Sequence, residues 1–266
     1  MNNQPIGILD SGVGGLTIWN EIVSQLPNES TIYIADSLNC PYGNKDTDQV
    51  YNLAKRMMEF LLSKEVKLIV VACNSITVTC IDELRKDFPN TPIVGTVPVV
   101  KTAAKISRNK RIGILSTTRT AASTYQKDLI KKHAKDCEVF VHGTDELVPL
   151  IEEGKVTGVE IEKILREVME KFKKEQIDTL ALGCSHFPFL EKEIEKILGN
   201  DVLLLDSGGA IARQVKRVLE QNNSLAENST KPHYKFFTTG ELVPFKKIVK
   251  VIGKDKMTQN VDRISL

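Results

Sequence analysis

At 266 residues, 41% hydrophobic and 26% charged, the chain can bury one large core or two ordinary ones and has none of the bias of a disordered or fibrous protein. Its 36 basic and 34 acidic residues leave a net charge of +2, with both signs mixed along the sequence, which argues against the phosphate-binding stripe of a nucleic-acid partner. No apolar run is long enough to span a bilayer, and "MNNQPIGILD" enters the first strand without a secretory leader, so no membrane is expected and the cytoplasm is the expected location.

Short β-branched runs alternate with helical patterns along the chain. The first, "IGIL" at 6–9, runs into the turn "DSGVGGLT". A dinucleotide fingerprint fails there, because the third glycine of GxGxxG falls on Thr17 and Asp10 would face a pyrophosphate. A tight turn with amides free for a carboxylate is the better reading. "TIYIA" at 31–35 leads to Asp36-Ser37, an amphipathic helix is predicted over 47–63, and "KLIVVA" at 67–72 ends on Cys73-Asn74-Ser75. A seam is expected at "PIVGTVPVV", where Gly95 and Pro98 break the pattern.

"RIGIL" at 111–115 leads to Ser116-Thr117, and "EVFV" marks 138–141. The helix predicted over 158–174 starts from the capping box Thr157-x-x-Glu160 and keeps Ile161, Ile164, Leu165, Val168 and Phe172 on one face. "DTLAL" at 178–182 precedes Cys184-Ser185-His186, and "DVLLL" at 201–205 leads to Asp206-Ser207-Gly208, near a second seam at 203–210. The polar "EQNNSLAENSTKP" reads as an exposed loop before the last strand, "YKFFTT" at 234–239. This alternation predicts an α/β protein with a mainly parallel sheet, and the length favours two domains.

Ligands of open α/β sheets bind outside the carboxyl ends of the strands. That rim collects carboxylates, hydroxyls, an amide, an imidazole and two thiols, with almost no fixed positive charge, which suits a small polar ligand. The five cysteines form no CxxC pair and no Cys/His cluster with zinc spacing, so no metal is expected and the thiols are read as free. Cys40, Cys80 and Cys137 are assigned to packing. Cys73 and Cys184 differ, since each is expected at the turn into a helix, where free amides and the helix dipole lower a thiol's pKa. Acyl transfer by Cys184 with His186 would need only one thiol. Two thiols on one rim suit the transfer of a proton from one face of a carbon to the other.

The ordered segments "DSGVGGLT", "ADSLNCPYG", "ACNSIT", "STTRTAASTY", "VPLIEEG" and "LGCSHFP", continuing to "FFTTGELVPF", resemble the glutamate racemases of the aspartate/glutamate racemase family over nearly the whole chain. The resemblance implies two similar three-layer α/β domains with mainly parallel sheets and an active site in the interdomain cleft. The domains would be 1–97 with 207–266, and 98–206. It further implies a homodimer that needs no cofactor and supplies D-glutamate for peptidoglycan.

By the same resemblance, Cys73 deprotonates D-glutamate with Asp10 assisting, and Cys184 deprotonates L-glutamate with His186 assisting. Glu152 matches the acid of the family's "PLxE" motif. Ser11 and Pro41-Tyr42-Gly43 would hold the side-chain carboxylate, and Asn74, Ser75, Thr117, Thr120 and Ser185 the α-carboxylate and amine. Ser75 and Ser185 stand where threonine is usual, Phe187 where tyrosine is common, and Ile76 where a smaller residue often occurs. An aspartate racemase of the same family, a thiol hydrolase and a non-catalytic amino-acid sensor remain the alternatives.

Overall fold

The computed structural model describes residues 1–96, 99–227, 229, 231–253 and 260–266. The first sheet is built from β1 (Ile6–Asp10), β2 (Thr31–Ala35), β3 (Leu68–Val71), β4 (Ile93–Gly95), β9 (Tyr234–Thr238) and β10 (Val261–Arg263). The second contains β5 (Arg111–Ser116), β6 (Glu138–Gly143), β7 (Thr179–Gly183) and β8 (Leu203–Leu205). Their strand orders are β10-β9-β2-β1-β3-β4 and β6-β5-β7-β8. Every pairing is parallel, and the α/β expectation holds.

Helices α1 (Leu16–Gln25), α2 (Thr47–Leu62) and α3 (Asn74–Asp87) follow the first three strands, and α4 (Val100–Ile106) leads to the second sheet. There α5 (Thr118–Ala122), α6 (Thr124–His133), α7 (Leu147–Glu152), α8 (Val159–Lys174) and α9 (Glu191–Leu198) connect the strands. The chain then returns through α10 (Gly208–Gln221) to β9 and α11 (Leu242–Gly253). Central strands such as β1 and β3 are buried at every position, which is why they read as unbroken apolar runs rather than alternating ones.

One local expectation is corrected. Helix α8 has no capping box from Thr157: its N-cap is Gly158, at φ +111°, with no side-chain cap. The carboxylate of Glu160 instead pairs with Lys155 at 3.5 Å. A capping box does exist at α2, where Asp46 accepts from the Gln49 amide at 2.8 Å and Gln49 accepts from the Asp46 amide at 3.3 Å. The predicted apolar face of α8 is present, with Ile161, Leu165, Val168 and Phe172 buried and Ile164 half-buried. The segment expected to be a seam contains the short strand β4; Pro98 and the 97/98 boundary lie outside the described residues.

In the segment expected to be an exposed loop, Glu220 and Gln221 close α10, residues 222, 223, 227, 229 and 231 are exposed and 224–226 are half-buried, while Asn228 and Thr230 lie outside the described residues. A buried ion pair pins it. Lys67 Nζ lies 2.6 Å from Glu29 Oε2, with both side chains only 2% exposed. Lys67 also donates to the carbonyls of Asn2 and Ser224, at 2.6 and 2.7 Å, and Glu29 accepts from the Ala226 amide at 2.8 Å.

Parallel register levels the strand ends. Leu9 stands opposite Ile34 and Val71, so Asp10, Asp36 and Cys73 emerge at one rim. In the second sheet Ser116 stands opposite Gly183, so Thr117 and Cys184 emerge side by side. The largest apolar cluster runs across both sheets, from Ile8 and Trp19 to Leu182 and Phe187, and holds the two rims face to face.

Candidate active site

The turn after β1 is built for close approach. Its Gly12 amide donates to Asp10 Oδ1 at 2.9 Å, and the Val13 amide donates to Glu152 Oε1 at 2.7 Å. The carboxylates that these amides bind are thus the protein's own. A side chain at Gly12 would overlap the Glu152 carboxylate, and one at Gly14 would overlap the His186 ring. Only hydrogen fits there, because two strand ends from different sheets converge on this turn.

Cys73 is the N-cap of α3, and its Sγ lies 3.5 Å from Ser11 Oγ. Cys184 follows β7, with its Sγ 3.9 Å from His186 Nδ1. It precedes a short 3₁₀ turn, Phe187–Leu190, rather than entering an α-helix directly. Ser185 Oγ donates to Asp10 Oδ2 at 3.0 Å, and His186 Nε2 donates to Glu152 Oε1 at 2.6 Å. Glu152 Oε2 accepts from Ser37 Oγ at 3.1 Å. Both thiols line one tight, nearly closed cleft between the two sheets.

Burial dominates the electrostatics. It pushes the Cys73 thiol up to about 12, with the neighbouring Asp10 charge adding to the rise, while Ser11 and the Ile76 amide oppose it. For Cys73 the expected lowering by the helix N-terminus is therefore overturned, since one turn of dipole does not offset full desolvation. Burial also raises Asp10 to about 6, against the pull of His186 and the Gly12 amide. For His186 burial acts in the lowering direction, but hydrogen bonds with Cys184, Cys40 and Glu152 outweigh it and hold the ring well above the ordinary imidazole value.

Most of the expected binding residues meet at the cleft. Ser11, Pro41, Tyr42 and Gly43 line one part of it, and Asn74, Ser75, Thr117 and Ser185 another. Both side-chain polar atoms of Asn74 are buried without a hydrogen-bond partner among the described residues, a costly state unless a ligand satisfies them. Ser75 and Thr117, from opposite sheets, lie 3.2 Å apart through their hydroxyls. Thr120 does not line the cleft: it sits behind Thr117, accepting its hydroxyl hydrogen bond at 3.1 Å. Phe187 and Ile76 are fully buried in the core, so their departures from the family pattern alter packing behind the site.

Several neighbours escaped sequence reasoning. Val148 lines the cleft, with no signal beyond an ordinary apolar helix position. Cys40, assigned to packing, does lie against the core, yet its thiol also reaches Glu152 and His186. Asp36 anchors the binding loop from behind, accepting from Tyr42 Oη and from Thr239 Oγ1, each at 2.6 Å. Cys80 and Cys137 pack as expected, and all five cysteines are free.

A model of the family described as Asp/Glu/Hydantoin racemase matches residues 6–215. The chain belongs to this family. It is 39% identical over 239 residues to the glutamate racemase of Clostridium acetobutylicum, covering 90% of this chain and 93% of that one. Among solved structures, a glutamate racemase isoform of Bacillus anthracis superposes with a TM-score of 0.89 at 32% identity, covering 100% of this chain and 99% of its own. The glutamate racemase of Francisella tularensis in complex with D-glutamate superposes with a TM-score of 0.87 at 31% identity, covering 100% and 98%. No described helix is long and apolar enough to cross a membrane.

Proposed function

We propose that the protein is a glutamate racemase that interconverts L- and D-glutamate by two-thiol proton transfer. The observation that carries this reading is the pair of buried thiols on opposing strand ends of one small cleft, beside an unpartnered amide. The named activity of the relatives supports it. Cys184 as thiolate takes the α-proton of L-glutamate while Cys73 delivers its thiol proton to the opposite face. The thiols end the turnover with their protonation exchanged and run the reverse reaction next. Asn74 and the Ser75–Thr117 pair hold the α-carboxylate, where negative charge builds as the C–H bond breaks.

Asp10 accepts the Cys73 proton, a task it can perform only when ionised. His186 exchanges a proton with Cys184, and Glu152 holds the ring. The two sheets belong to domains 1–97 with 207–266, and 98–206, whose closure encloses glutamate. The enzyme works in the cytoplasm as a homodimer and supplies D-glutamate to peptidoglycan synthesis.

The direct test is purified protein with L-glutamate in D₂O and no added cofactor, followed by optical rotation and by the Cα proton signal in NMR. Rotation should decay to zero as deuterium enters Cα. Binding without exchange would favour a sensor, and turnover of aspartate alone would move the reaction to the shorter acid.

The acid limb of the rate profile tests the role of Asp10. With its pKa raised to about 6, the residue is protonated below that pH and cannot take the thiol proton, so kcat/KM for D-glutamate should rise as pH passes through about 6. Asp10→Asn should be slower by about 10²-fold or more and lack that limb. An unchanged limb in the variant would assign it to another group.

A further inference from the structure

We propose that Cys40, Glu152 and His186 form a binding site for a thiophilic divalent cation of the Zn²⁺ class, which inhibits the enzyme by capturing His186. One sulfur, one carboxylate oxygen and one imidazole nitrogen lie within 4.8 Å of one another. His186 is buried, and Cys40 and Glu152 are half-buried. The Glu152 side chain is 15% exposed, so an ion can reach the cluster from solvent.

The donor set suits zinc: a thiolate, an imidazole and a carboxylate. Metal–ligand bonds of about 2.0–2.3 Å require the His186–Glu152 contact to widen from its 2.6 Å as the ion enters between them. The remaining atoms are already oriented. Glu152 is held by the Val13 amide and the Ser37 hydroxyl, and His186 Nδ1 faces Cys184 and Ser185 on its far side. Such outer contacts steady a metal ligand as well as they steady a catalytic group.

Cys40 follows β2 of the first sheet, whereas Glu152 ends α7 and His186 follows β7 of the second. The ion would therefore tie the two rims together. Binding releases the Cys40 thiol proton and the His186 Nε2 proton to solvent and replaces the His186–Glu152 hydrogen bond with two metal bonds. The loss of activity rests on the racemase reading; the binding itself does not.

The test uses Co²⁺ as a spectroscopic probe on the full-length, metal-stripped protein in a non-thiol reductant. One equivalent of Co²⁺ should produce thiolate-to-cobalt charge-transfer absorption that Zn²⁺ abolishes by displacement. The absorption should persist in the Cys73→Ser/Cys184→Ser double variant and vanish in Cys40→Ser. With glutamate present, Zn²⁺ should inhibit the wild type and inhibit Cys40→Ser at least about 10-fold less tightly, because losing a direct ligand costs no less than the roughly 10–100-fold of losing an outer contact. X-ray absorption of the Zn²⁺-bound wild type, which needs no variant to fold, should find a single sulfur ligand.

Absorption that follows Cys73 or Cys184, two sulfur ligands, or no complex at stoichiometric metal would each overturn the site. Because the spectroscopy needs no substrate, an inactive but Co²⁺-binding protein would count against the racemase reading and leave the cation site standing.

Discussion

Serine in place of Cys73 or of Cys184 is expected to lower glutamate inversion about 10²–10⁴-fold in either direction, the range for losing one positioned acid or base. Inversion needs a base on one face and an acid on the other, so neither thiol can cover for its partner. Serine keeps the shape and a hydrogen-bonding oxygen, but a hydroxyl is far less acidic than a thiol, and both positions are buried.

The isotope pattern separates the two roles. With Cys184 intact, Cys73→Ser should still exchange the α-proton of L-glutamate for deuterium with retention, since Cys184 can remove the proton and return a solvent-derived one to the same face. Cys184→Ser should do the same with D-glutamate. These outcomes are read by NMR in D₂O beside optical rotation. A variant that inverts glutamate at more than about a tenth of the wild-type rate would fall outside the acid–base range and refute the two-thiol mechanism.

The second large effect concerns stability. Lys67→Met should destabilise the fold by about 3–5 kcal/mol, because it leaves the Glu29 carboxylate buried without its counter-charge. That is a large share of a typical stability of about 5–15 kcal/mol. The substitution also removes the donor to the Asn2 and Ser224 carbonyls, which loosens the N-terminus and the 224–226 segment together. Urea denaturation followed by circular dichroism measures the loss. Adding Glu29→Gln removes the orphaned charge while keeping an acceptor for the Ala226 amide, so the double variant should recover part of the stability. A Lys67→Met cost below about 1 kcal/mol, the range of an exposed pair, would show that the ion pair is not buried in solution.

Local patterns were legible where a few neighbouring residues decide the outcome. The apolar runs that became β1, β3, β5 and β7, and the stripe of α8, could be read directly because period and burial coincide there. Cys73 and Cys184 could be read as a pair because each thiol ends a parallel strand, although the fold places them on facing rims of two sheets and not on one rim. Two short elements escaped: β4 and β10 have three residues each, and neither forms an unbroken leucine run like that which made the equally short β8 legible. Thr157 and Glu160 matched a capping pattern that the chain does not use, since Gly158 turns it into α8 at a positive φ.

The sequence by itself determined the alternation of strand and helix, the turn glycines, and the polar and thiol character of the strand ends. All of these depend on side-chain chemistry within a few residues. Only the tertiary structure decided that Ser185 reaches Asp10, that Thr120 stands behind Thr117, that Cys40 meets His186 and Glu152, and that Cys73 is raised rather than lowered in pKa. The physical reason is the same in each case. Desolvation and contact depend on which distant segments close over a group, and register and the shared core set that closure, not the residues on either side of it.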